Sequence, residues 1–339
     1  MQPKFRIGVA YDLRADYLAL GYSEEETAEF DSEVTIDAIC EALSSLGFVP
    51  EKIGNVKRLA ARLAAGERWD GVFNFCEGLK GISREAQVPA LLEIYDIPYV
   101  FSDPLTSAVT LDKGMCKRVA RDCGVPTADF AVIETPADAK KIKLAFPLFL
   151  KPIAEGSGKG VDAKSKVTDR KSLERVARAL LAKFHQPVLV ETFLPGREFT
   201  VAITGTGDDA SVLGVSEIVP KPDWVGDGYG LENKQEGWEE KVEIIGADPI
   251  SAKSAGDVAL AAWRALRCRD GGRVDIRNDE HGKAHFIEVN PLAGLRPGHS
   301  DMCFIAEREG VSYPQLIGKI MASFVKRTPQ LQARARIAA

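Results

Sequence analysis

Short apolar runs and helical patterns alternate over the first hundred residues. FRIGVA (5–10) predicts a buried strand, and SEVTIDAICEALSSLG (32–47) has the periodicity of a helix, with Ser32 as its candidate N-cap and Gly47 as its end. The alternation continues through FVPEKI, NVKRLAARLAAG, DGVFNF, SREAQVPALLEIYD and IPYVFS. Strands that alternate with helices in this way are typical of a parallel sheet, and we place this first domain at residues 1–105.

A glycine-rich loop lies in the β-rich segment that follows a helical DKGMCKRVARDCG. The segment FPLFLKPIAEGSGKGVDAKSKV (146–167) predicts two strands, and the loop is expected to join them. Its GSGK is not a Walker A loop, because Lys159 is followed by Gly160 rather than by Ser or Thr. Further helices and strands are expected near 169–183, 186–203 and 251–266.

The segment GGRVDIRNDEHGKAHFIEVN (271–290) carries the densest set of candidate ligands. Two strands of period two around a polar turn predict an antiparallel hairpin. If the apolar faces of both strands point the same way, Asp275, Glu288 and Asn290 converge on the opposite face. Such oxygen ligands suit Mg²⁺, and Arg273 on that face would stabilise a transferring phosphoryl group. The alternative is a solvated face of a surface hairpin.

Three other candidates have an ordinary structural explanation when each is taken alone. Lys151 ends the strand FPLFLK, where an ammonium could reach phosphate, but a surface turn explains this segment more simply. The backbone of 191–194 could pair with an adenine edge, with Glu198 at ribose distance, although a plain strand and turn would give the same pattern. Lys113 at a helix start is by default a solvated lysine.

Composition excludes several classes of protein. The chain has 339 residues, of which 45% are hydrophobic and 27% charged, as in an ordinary globular protein of about two to three domains. A net charge of −5 argues against nucleic acid as a partner, and the lack of an apolar run of about 18 residues argues against a membrane. No C-x-x-C pair occurs, and His281 and His285 flank a polar turn, so neither set predicts a metal site. The start MQPKFRIGVAYDL has no signal-peptide pattern, and we expect a cytoplasmic protein.

Six segments in sequence order carry a more specific signal. They are LDK (111–113), FPLFLKPIAEGSGKGV, VLVETFLPGREFTVAI, ENK (232–234), GGRVDI and FIEVNPLAGLRPGHS (286–300). Together they resemble the D-alanine–D-alanine ligases of the ATP-grasp superfamily, and GVFNFCEGLKGISREAQVPALLEIYD is similar to that family's N-terminal domain. The resemblance covers nearly the whole chain and implies an α/β (α+β) fold with a Rossmann-like parallel-sheet domain first. Two ATP-grasp subdomains and a tail would then occupy 106–195, 196–327 and 328–339.

The resemblance also implies a role for each matching residue. The expected contacts to the phosphates, adenine and ribose of ATP are Lys113, Lys151, Glu191, Leu194 and Glu198. Two Mg²⁺ ions, for which Mn²⁺ could substitute, are expected on Asp275, Glu288 and Asn290. The residues expected at the reacting groups are Arg273, Ser157 in the EGS segment and Lys234 of a closing loop. His299 and Ser300 match the dipeptide that grips the second substrate's carboxylate, with Ser300 as a helix cap.

The implied activity is the ligation of two amino-acid-like molecules. One carboxylate attacks the γ-phosphorus of ATP to give an acyl phosphate and ADP, and the amine of the second molecule displaces phosphate. With D-alanine as both substrates, such an enzyme would serve peptidoglycan synthesis. Members of the family are often dimeric, so a homodimer is expected, although the sequence identifies no interface.

The residues leave two alternatives to this activity open and disfavour a third. A related ligase could join a different amino acid, hydroxy acid or peptide partner, and a nucleotide-binding regulator could have lost catalysis altogether. An NAD-dependent oxidoreductase is disfavoured, because YDLRAD rather than G-x-G-x-x-G follows FRIGVA.

The chain departs from the family around the expected first-substrate pocket. FCEGLKGISRE stands where these ligases carry HGxxGEDG, which puts Glu77 at the histidine position. AEFDSEVT replaces AEREVS and leaves Asp31 or Glu33 as the carboxylate for the first substrate's amine. Gln235 replaces the closing-loop tyrosine, and residues 11–31 connect the first strand to its helix, where about 2 to 6 residues are usual. We expect a changed pocket that uses D-alanine poorly; the alternative is that these departures leave the reaction unchanged.

Overall fold

Four strands near the start of the chain build the first of three sheets. The computed structural model describes residues 5–221 and 242–332. The four strands are β1 (Arg6–Tyr11), β2 (Val49–Gly54), β3 (Gly71–Phe75) and β4 (Tyr99–Val100). Their order is β2-β1-β3-β4 with every pair parallel, as the alternating pattern predicts. β3 is buried along its whole length, as expected for an inner strand of a parallel sheet.

Helices connect the strands of this N-terminal sheet, and one more helix follows β4. They are α1 (Arg14–Ala19), α2 (Glu33–Ser45), α3 (Val56–Ala64), α4 (Gln87–Ile94) and α5 (Pro104–Leu111). Asn55 caps α3 by accepting hydrogen bonds from the N–H groups of Lys57 and Arg58, each at 3.2 Å. Ser32 occupies the N-cap position of α2, but its side chain makes no capping hydrogen bond. The long connection between β1 and α2 contains α1 and a run of turns, so most of its residues lie in a helix or in turns.

The glycine-rich loop joins two strands of a central antiparallel sheet, as the sequence predicts. The strands are β5 (Phe130–Ile133), β6 (Leu148–Pro152), β7 (Lys166–Val167) and β8 (Val188–Thr192), in the order β5-β8-β6-β7. α6 (Lys113–Asp122) precedes this sheet and α7 (Arg170–Phe184) crosses it. Leu173 and Ala177 on α7 pack against Leu150 of β6 because the helix keeps its apolar residues on one face.

The predicted hairpin lies at the edge of a C-terminal antiparallel sheet. Its strands are β9 (Glu198–Thr204), β10 (Ser211–Pro220), β11 (Val242–Gly246), β12 (Gly271–Asn278) and β13 (Ala284–Asn290), in the order β11-β10-β9-β12-β13. The helices of this region are α8 (Pro249–Ala265), α9 (Asp301–Arg308) and α10 (Tyr313–Lys326). In the hairpin, Asp275 pairs in register with Glu288 and Arg273 with Asn290. The alternation therefore puts the predicted ligands on one face.

The last helix of the chain packs on the first sheet. Phe324 of α10 is fully buried in the core that β1, α2 and β3 form, and it approaches Gly71 so closely that a Cβ there would lie 2.8 Å from the ring. Buried Asp270 accepts from the N–H of Phe101 at 2.8 Å and pairs with Arg327 at 2.5 Å. The core of the first domain thus includes residues far beyond 105, which local patterns do not predict.

Two further predictions concern the end of the chain and its relation to a membrane. The assignment of 328–339 to a tail stays a prediction, although Leu331 is only 2% exposed and belongs to the same core. None of the helices within the described ranges is long and apolar enough to cross a membrane.

Candidate active site

Two cavities adjoin at the β12–β13 hairpin. The first, which we call the lysine cleft, lies between the central and C-terminal sheets, has a volume of about 100 Å³ and is lined by Lys113, Lys151, Leu194, Glu198, Asp275 and Glu288, among others. The second, which we call the acidic cavity, has a volume of about 310 Å³ and is lined by Asp31, Glu77, Glu85, Lys113, Glu288 and Asn290, among others. Because Lys113 and Glu288 line both cavities, molecules bound in the two would meet there.

The two lysines predicted at the ATP phosphates are buried beside the lysine cleft. Lys151 on β6 places its Nζ 3.2 Å from Oε2 of Glu191 and 3.5 Å from Oε2 of Glu288. Lys113 begins α6, donates to the carbonyl oxygen of Glu155 at 2.6 Å and lies 3.7 Å from Glu288. Lys113 is only 7% exposed, so the default of a solvated lysine at a helix start is wrong.

A third lysine, which the sequence analysis did not single out, completes this arrangement. Lys117 lies one turn after Lys113 on α6, is fully buried and holds its Nζ 2.5 Å from Oε1 of Glu191. Burial lowers the pKa of Lys117, although Glu191 acts in the opposite direction. Burial alone would raise the pKa of Glu191, but Lys117 and Lys151 outweigh it and lower that pKa. The i, i+4 spacing from Lys113 puts both lysines on one helix face and is the signal that points to Lys117.

The far end of the lysine cleft holds the residues predicted around adenine and ribose. Leu194 lies just beyond β8 and lines the cleft together with Phe149 and Phe193, whose rings stack with centroids 6.3 Å apart. Glu198 begins β9 and pairs with Arg277 at 3.2 Å. The carboxylate of Glu191 is turned to the two lysines, so its adenine contact stays a prediction for the backbone alone.

The three predicted Mg²⁺ ligands lie together on the hairpin. Asp275 is the register partner of Glu288, and Nδ2 of Asn290 lies 3.4 Å from Oδ2 of Asp275. Two carboxylates and an amide at the border of the two cavities form a donor set that fits Mg²⁺. Arg273 is held against the same group, because its Nε donates to Asp275 at 2.9 Å and its Nη1 to Asp301 at 2.7 Å.

Three carboxyl groups from three elements converge on the acidic cavity. Asp31 lies just before α2, Glu77 follows β3, and Glu85 lies in the 3-10 turn Arg84–Ala86. Burial raises the pKa of Asp31 to about 6 and that of Glu85 to about 7. Burial, with the nearby Glu85 carboxyl, also holds the pKa of Glu77 well above its usual range. Of the two candidates for the first substrate's amine, Asp31 lines the cavity, whereas Glu33 is exposed and does not.

The connection between β1 and α2 reaches the glycine-rich loop through Glu29. The carboxylate of Glu29 accepts from the N–H of Gly156 at 2.5 Å and pairs with Arg84 at 2.9 Å and Lys159 at 3.3 Å. Burial alone would raise the pKa of Glu29, but these two cations lower it. A Cβ at position 156 would lie 2.5 Å from this carboxylate, which explains the glycine. Ser157, predicted to meet substrate, follows this contact and lines the acidic cavity.

The dipeptide predicted to hold the second substrate lies at the start of α9. His299 and Ser300 both line the acidic cavity. Ser300 occupies the N-cap position, but its hydroxyl accepts from the N–H of Arg296 at 3.0 Å and makes no capping hydrogen bond, so the predicted side-chain cap is wrong. Lys234 and Gln235 of the predicted closing loop lie outside the described residues.

Comparisons with known proteins point to one family. Residues 119–322 match the family described as D-ala D-ala ligase C-terminus. The chain is 35% identical to the D-alanine–D-alanine ligase of Bordetella petrii, over 83% of this chain and 84% of that protein. It is 32% identical to the uncharacterized protein y4sG of Sinorhizobium fredii, over 74% of this chain and 73% of that protein.

Solved structures share the fold at lower identity. The VanG D-Ala:D-Ser ligase from Enterococcus faecalis superposes with a TM-score of 0.73 at 21% identity, covering 95% of this chain and 100% of that one. The D-alanine–D-alanine ligase from Bacillus anthracis complexed with ATP gives a TM-score of 0.70 at 21% identity, covering 98% and 99%.

A parallel sheet followed by two α+β halves around a lysine-lined cleft defines an ATP-grasp ligase. The match over 119–322 and the 35% identity identify which one: the chain belongs to the D-alanine–D-alanine ligase family. The predicted family, fold class and enzyme class, an ATP-dependent ligase, are thereby confirmed. The domain boundaries, the roles of individual residues and the homodimer stay predictions.

Proposed function

We propose that the chain joins two small amino-acid-like molecules where the lysine cleft meets the acidic cavity, with consumption of ATP. The observation that carries this proposal is the position of Glu288, which lines both cavities next to Asp275 and Asn290. ATP would lie in the lysine cleft with its phosphates toward Lys151 and Lys113, and the amino-acid substrates would lie in the acidic cavity. The reaction type is carried over from relatives that are named D-alanine–D-alanine ligases.

The reaction proceeds in two displacements. A carboxylate oxygen of the first substrate attacks the γ-phosphorus, the bond from that phosphorus to the β-phosphate oxygen breaks, and ADP leaves. The neutral amine of the second substrate then attacks the acyl carbon, the carbon–oxygen bond to phosphate breaks, and the amine's proton passes to the departing phosphate. No side chain needs to act as a nucleophile, because orientation and charge neutralisation lower both barriers.

The chain's own residues supply that orientation and neutralisation. Lys113 and Lys151 offer ammonium groups to the phosphates, and Arg273 holds positive charge beside the transferring group. Mg²⁺ held by Asp275, Glu288 and Asn290 would neutralise phosphate charge between the two cavities. Ser157 and the glycine-rich loop would exclude water, since an acyl phosphate hydrolyses when it is exposed.

A substrate panel tests this function. The purified full chain is given ATP and Mg²⁺ with D-alanine alone, and then with pairs of amino acids, hydroxy acids and short peptides, while ADP release and product mass are measured. We expect ADP release that depends on substrate, with one phosphate formed for each ligated product. A nucleotide-binding regulator would instead bind ATP and release no ADP on addition of any substrate pair, and that result would overturn the proposal.

A further inference from the structure

Four charged side chains join the first sheet to the glycine-rich loop of the central sheet. Glu29 lies on the connection between β1 and α2, and Arg84 begins the 3-10 turn that follows β3. Glu155 and Lys159 belong to the loop itself. The exposed fraction of these four side chains lies between 6% and 15%. We call this group, Glu29, Arg84, Glu155 and Lys159, the loop clamp.

Arg84 contacts the loop both directly and through a carboxylate. Its Nη1 donates to the carbonyl oxygen of Ala154 at 2.8 Å, and its Nη2 donates to Oε2 of Glu29 at 2.9 Å. The other oxygen of Glu29 accepts from the N–H of Gly156. Burial would lower the pKa of Arg84, but Glu29 and Glu155 outweigh it and raise that pKa, so the guanidinium stays charged. One planar group thus fixes the loop backbone at two points.

The charges of the loop clamp are balanced without a ligand. The Nζ of Lys159 lies 3.3 Å from Glu29 and 2.5 Å from Glu155. Arg84 lies 2.9 Å from Glu29 and 4.0 Å from Glu155. Two cations therefore face two carboxylates, and each side of the contact supplies one of each. Removal of Arg84 alone would leave a buried carboxylate in excess, which is strongly destabilising.

The position of the loop determines the position of groups in both cavities. The carbonyl oxygen of Glu155 accepts from the Nζ of Lys113 at 2.6 Å, and Lys113 lines the lysine cleft as well as the acidic cavity. Ser157 lines the acidic cavity and Gly158 lines the lysine cleft. Ser157 has a φ of 50°, in the left-handed region that residues with a side chain rarely adopt. Such a conformation persists only where the surrounding contacts hold it.

Arg84 is fixed from its own side of the contact as well. A Cβ at Gly78 would lie 2.8 Å from the carbonyl oxygen of Arg84, so the turn after β3 packs directly on this residue. Arg84 lies within the described ranges and lines neither the lysine cleft nor the acidic cavity. Any effect of its side chain on the reaction must therefore pass through the loop.

We infer that Arg84 is a positioning residue for the ligase reaction, which sets the glycine-rich loop so that Lys113 and Ser157 face the reacting groups together. The inference rests on the proposed function and adds to it a residue outside both cavities. A displacement of about 1 Å in a positioning group can lower a rate about 100-fold. A displaced loop would also admit water to the acyl phosphate, which would hydrolyse to the free acid and phosphate, so ADP would form without ligated product.

The test separates positioning from simple support of the fold. Arg84→Met removes the guanidinium, and Arg84→Met/Glu29→Gln also removes the carboxylate charge that the single change leaves in excess, so its thermal midpoint should return toward that of the unchanged chain. We expect kcat to fall about 100-fold in both variants, measured with the best substrate pair of the panel. The ADP released per ligated product should rise above one in both. Arg58→Met, whose side chain is 61% exposed on α3, is the matched control.

The double variant decides the outcome, also where Arg84→Met does not fold. If its kcat stays low and its ADP-to-product ratio stays above one although its thermal midpoint has returned, Arg84 positions the loop. If its kcat and its ratio return together with the midpoint, Arg84 only supports the fold and the inference is overturned.

Amide exchange tests the inference independently of the ligase proposal. Hydrogen–deuterium exchange of the ligand-free full chain is followed by mass spectrometry in peptides that cover residues 154–161, β6 and α7. In Arg84→Met/Glu29→Gln we expect the amides of 154–161 to exchange at least about tenfold faster, while those of β6 and α7 stay within about twofold. Exchange of 154–161 that is unchanged, or that rises equally in β6 and α7, would overturn the inference whether or not any substrate pair turns over.

Discussion

The lysine cleft and the acidic cavity share a wall but manage charge in opposite ways. In the cleft, Lys117 and Lys151 both contact Glu191, and Lys151 also reaches Glu288, so each buried charge has a partner in the chain itself. In the acidic cavity, the carboxyl groups without an ion-pair partner in the described part of the chain are Asp31, Glu77 and Glu85. The buried charges of the lysine cleft are paired before any ligand binds, whereas these three carboxyl groups of the acidic cavity are not.

The two arrangements of charge suit different ligands. Paired charges in a buried site stay ionised and fixed, which suits a cleft that must receive the same polyanion in every turnover. Unpaired buried carboxyl groups have raised pKa values, as Asp31 and Glu85 do. A cation that binds beside such a group lowers its pKa again. The lysine cleft is therefore a fixed platform, whereas three carboxyl groups of the acidic cavity have no ion-pair partner among the described residues.

The largest expected effect comes from breaking the internal pairing of the cleft. Lys117→Met removes a fully buried cation from Glu191, and breaking a buried pair in this way should lower the free energy of unfolding by about 3 kcal/mol. Urea unfolding followed by circular dichroism measures it. Lys183→Met removes a largely exposed pair with Glu25 and serves as the control, with an expected change below about 0.5 kcal/mol. Equal midpoints for the two variants would contradict a fixed, paired platform.

Next in size is the effect of a change at the shared wall. Glu288→Gln keeps the shape of the side chain but removes a charge that lies between Lys113 and Lys151, so kcat should fall about 100-fold or more while the fold persists. Steady-state ADP release gives kcat. Glu280→Gln in the exposed turn of the same hairpin is the matched control. If folded Glu288→Gln turns over within about twofold of the unchanged chain, the hairpin is not the reaction centre.

A smaller effect should separate the cleft from the cavity. Lys151→Ala and Lys113→Ala each lose a charge-assisted contact of about 1.5 to 3 kcal/mol, which corresponds to roughly a ten- to hundred-fold loss of ATP affinity. The affinity for the amino-acid substrates should change less, because the proposed function places their ammonium groups in the acidic cavity. Calorimetric titration with ATP measures the loss, and Lys164→Ala, exposed in the glycine-rich loop, is the control. Unchanged ATP affinity in both variants would remove these lysines from the nucleotide site.

The smallest expected effect is a pH dependence confined to the acidic cavity. Ion pairing to an ammonium needs ionised Asp31, whose pKa is about 6, so kcat/KM for a substrate with one ammonium should fall roughly tenfold for each pH unit below 6. The charged and titratable groups that face Asp31 are Arg296, Glu77, Cys303 and Tyr313, of which the Cys303 thiol and the Tyr313 hydroxyl are neutral near pH 6 because burial raises the pKa of each. Asp31→Asn should abolish this acidic limb, while ATP affinity stays flat. A limb that persists in Asp31→Asn would assign it to another group.

The same shift has an opposite sign for stability. The carboxyl pKa of Asp31 is higher in the folded chain than its usual value of about 3.9, so the folded state binds more protons between these values. The contribution of Asp31 to the free energy of unfolding is therefore largest at low pH and decreases as the pH rises from about 4 to about 6. Substrate binding and folding thus favour different protonation states of one carboxyl group.

Local patterns predicted the parts of the molecule that depend on neighbours in sequence. The face that carries Asp275 follows from the alternation around Val274 and Ile276, whose side chains are buried on the opposite face, whereas the irregularity in register between Asp275 and Ile276 does not follow from it. The parallel sheet follows in the same way from alternating strands and helices. Lys117 was missed because a lysine in a helical pattern carries no mark of burial; its i, i+4 spacing from Lys113 places it on the same helix face, and the ion pair with Glu191 of β8 shows that it is buried.

Side-chain hydrogen bonds were harder to predict than positions. Ser32 and Ser300 both stand at helix N-caps, as their sequence context indicates, yet neither makes a capping hydrogen bond. Ser300 accepts from Arg296 instead, because the preceding turn folds back toward it. The sequence could not decide between Asp31 and Glu33 either. The two residues are only two positions apart, yet Asp31 lines the acidic cavity whereas Glu33 is exposed to solvent.

The packing of α10 on the first sheet has a consequence for how the protein is made. At about 5 to 20 residues per second, the roughly 200 residues between the end of β4 and the start of α10 take on the order of 10 to 40 s to leave the ribosome. During that interval Ile320 and Phe324 are not yet available, so any part of the first sheet that has formed leaves the apolar face on which they pack uncovered. The first domain is thus synthesised first, but its core is completed only by the last helix. A chain released before α10 is made would expose the apolar face of the first sheet to other proteins.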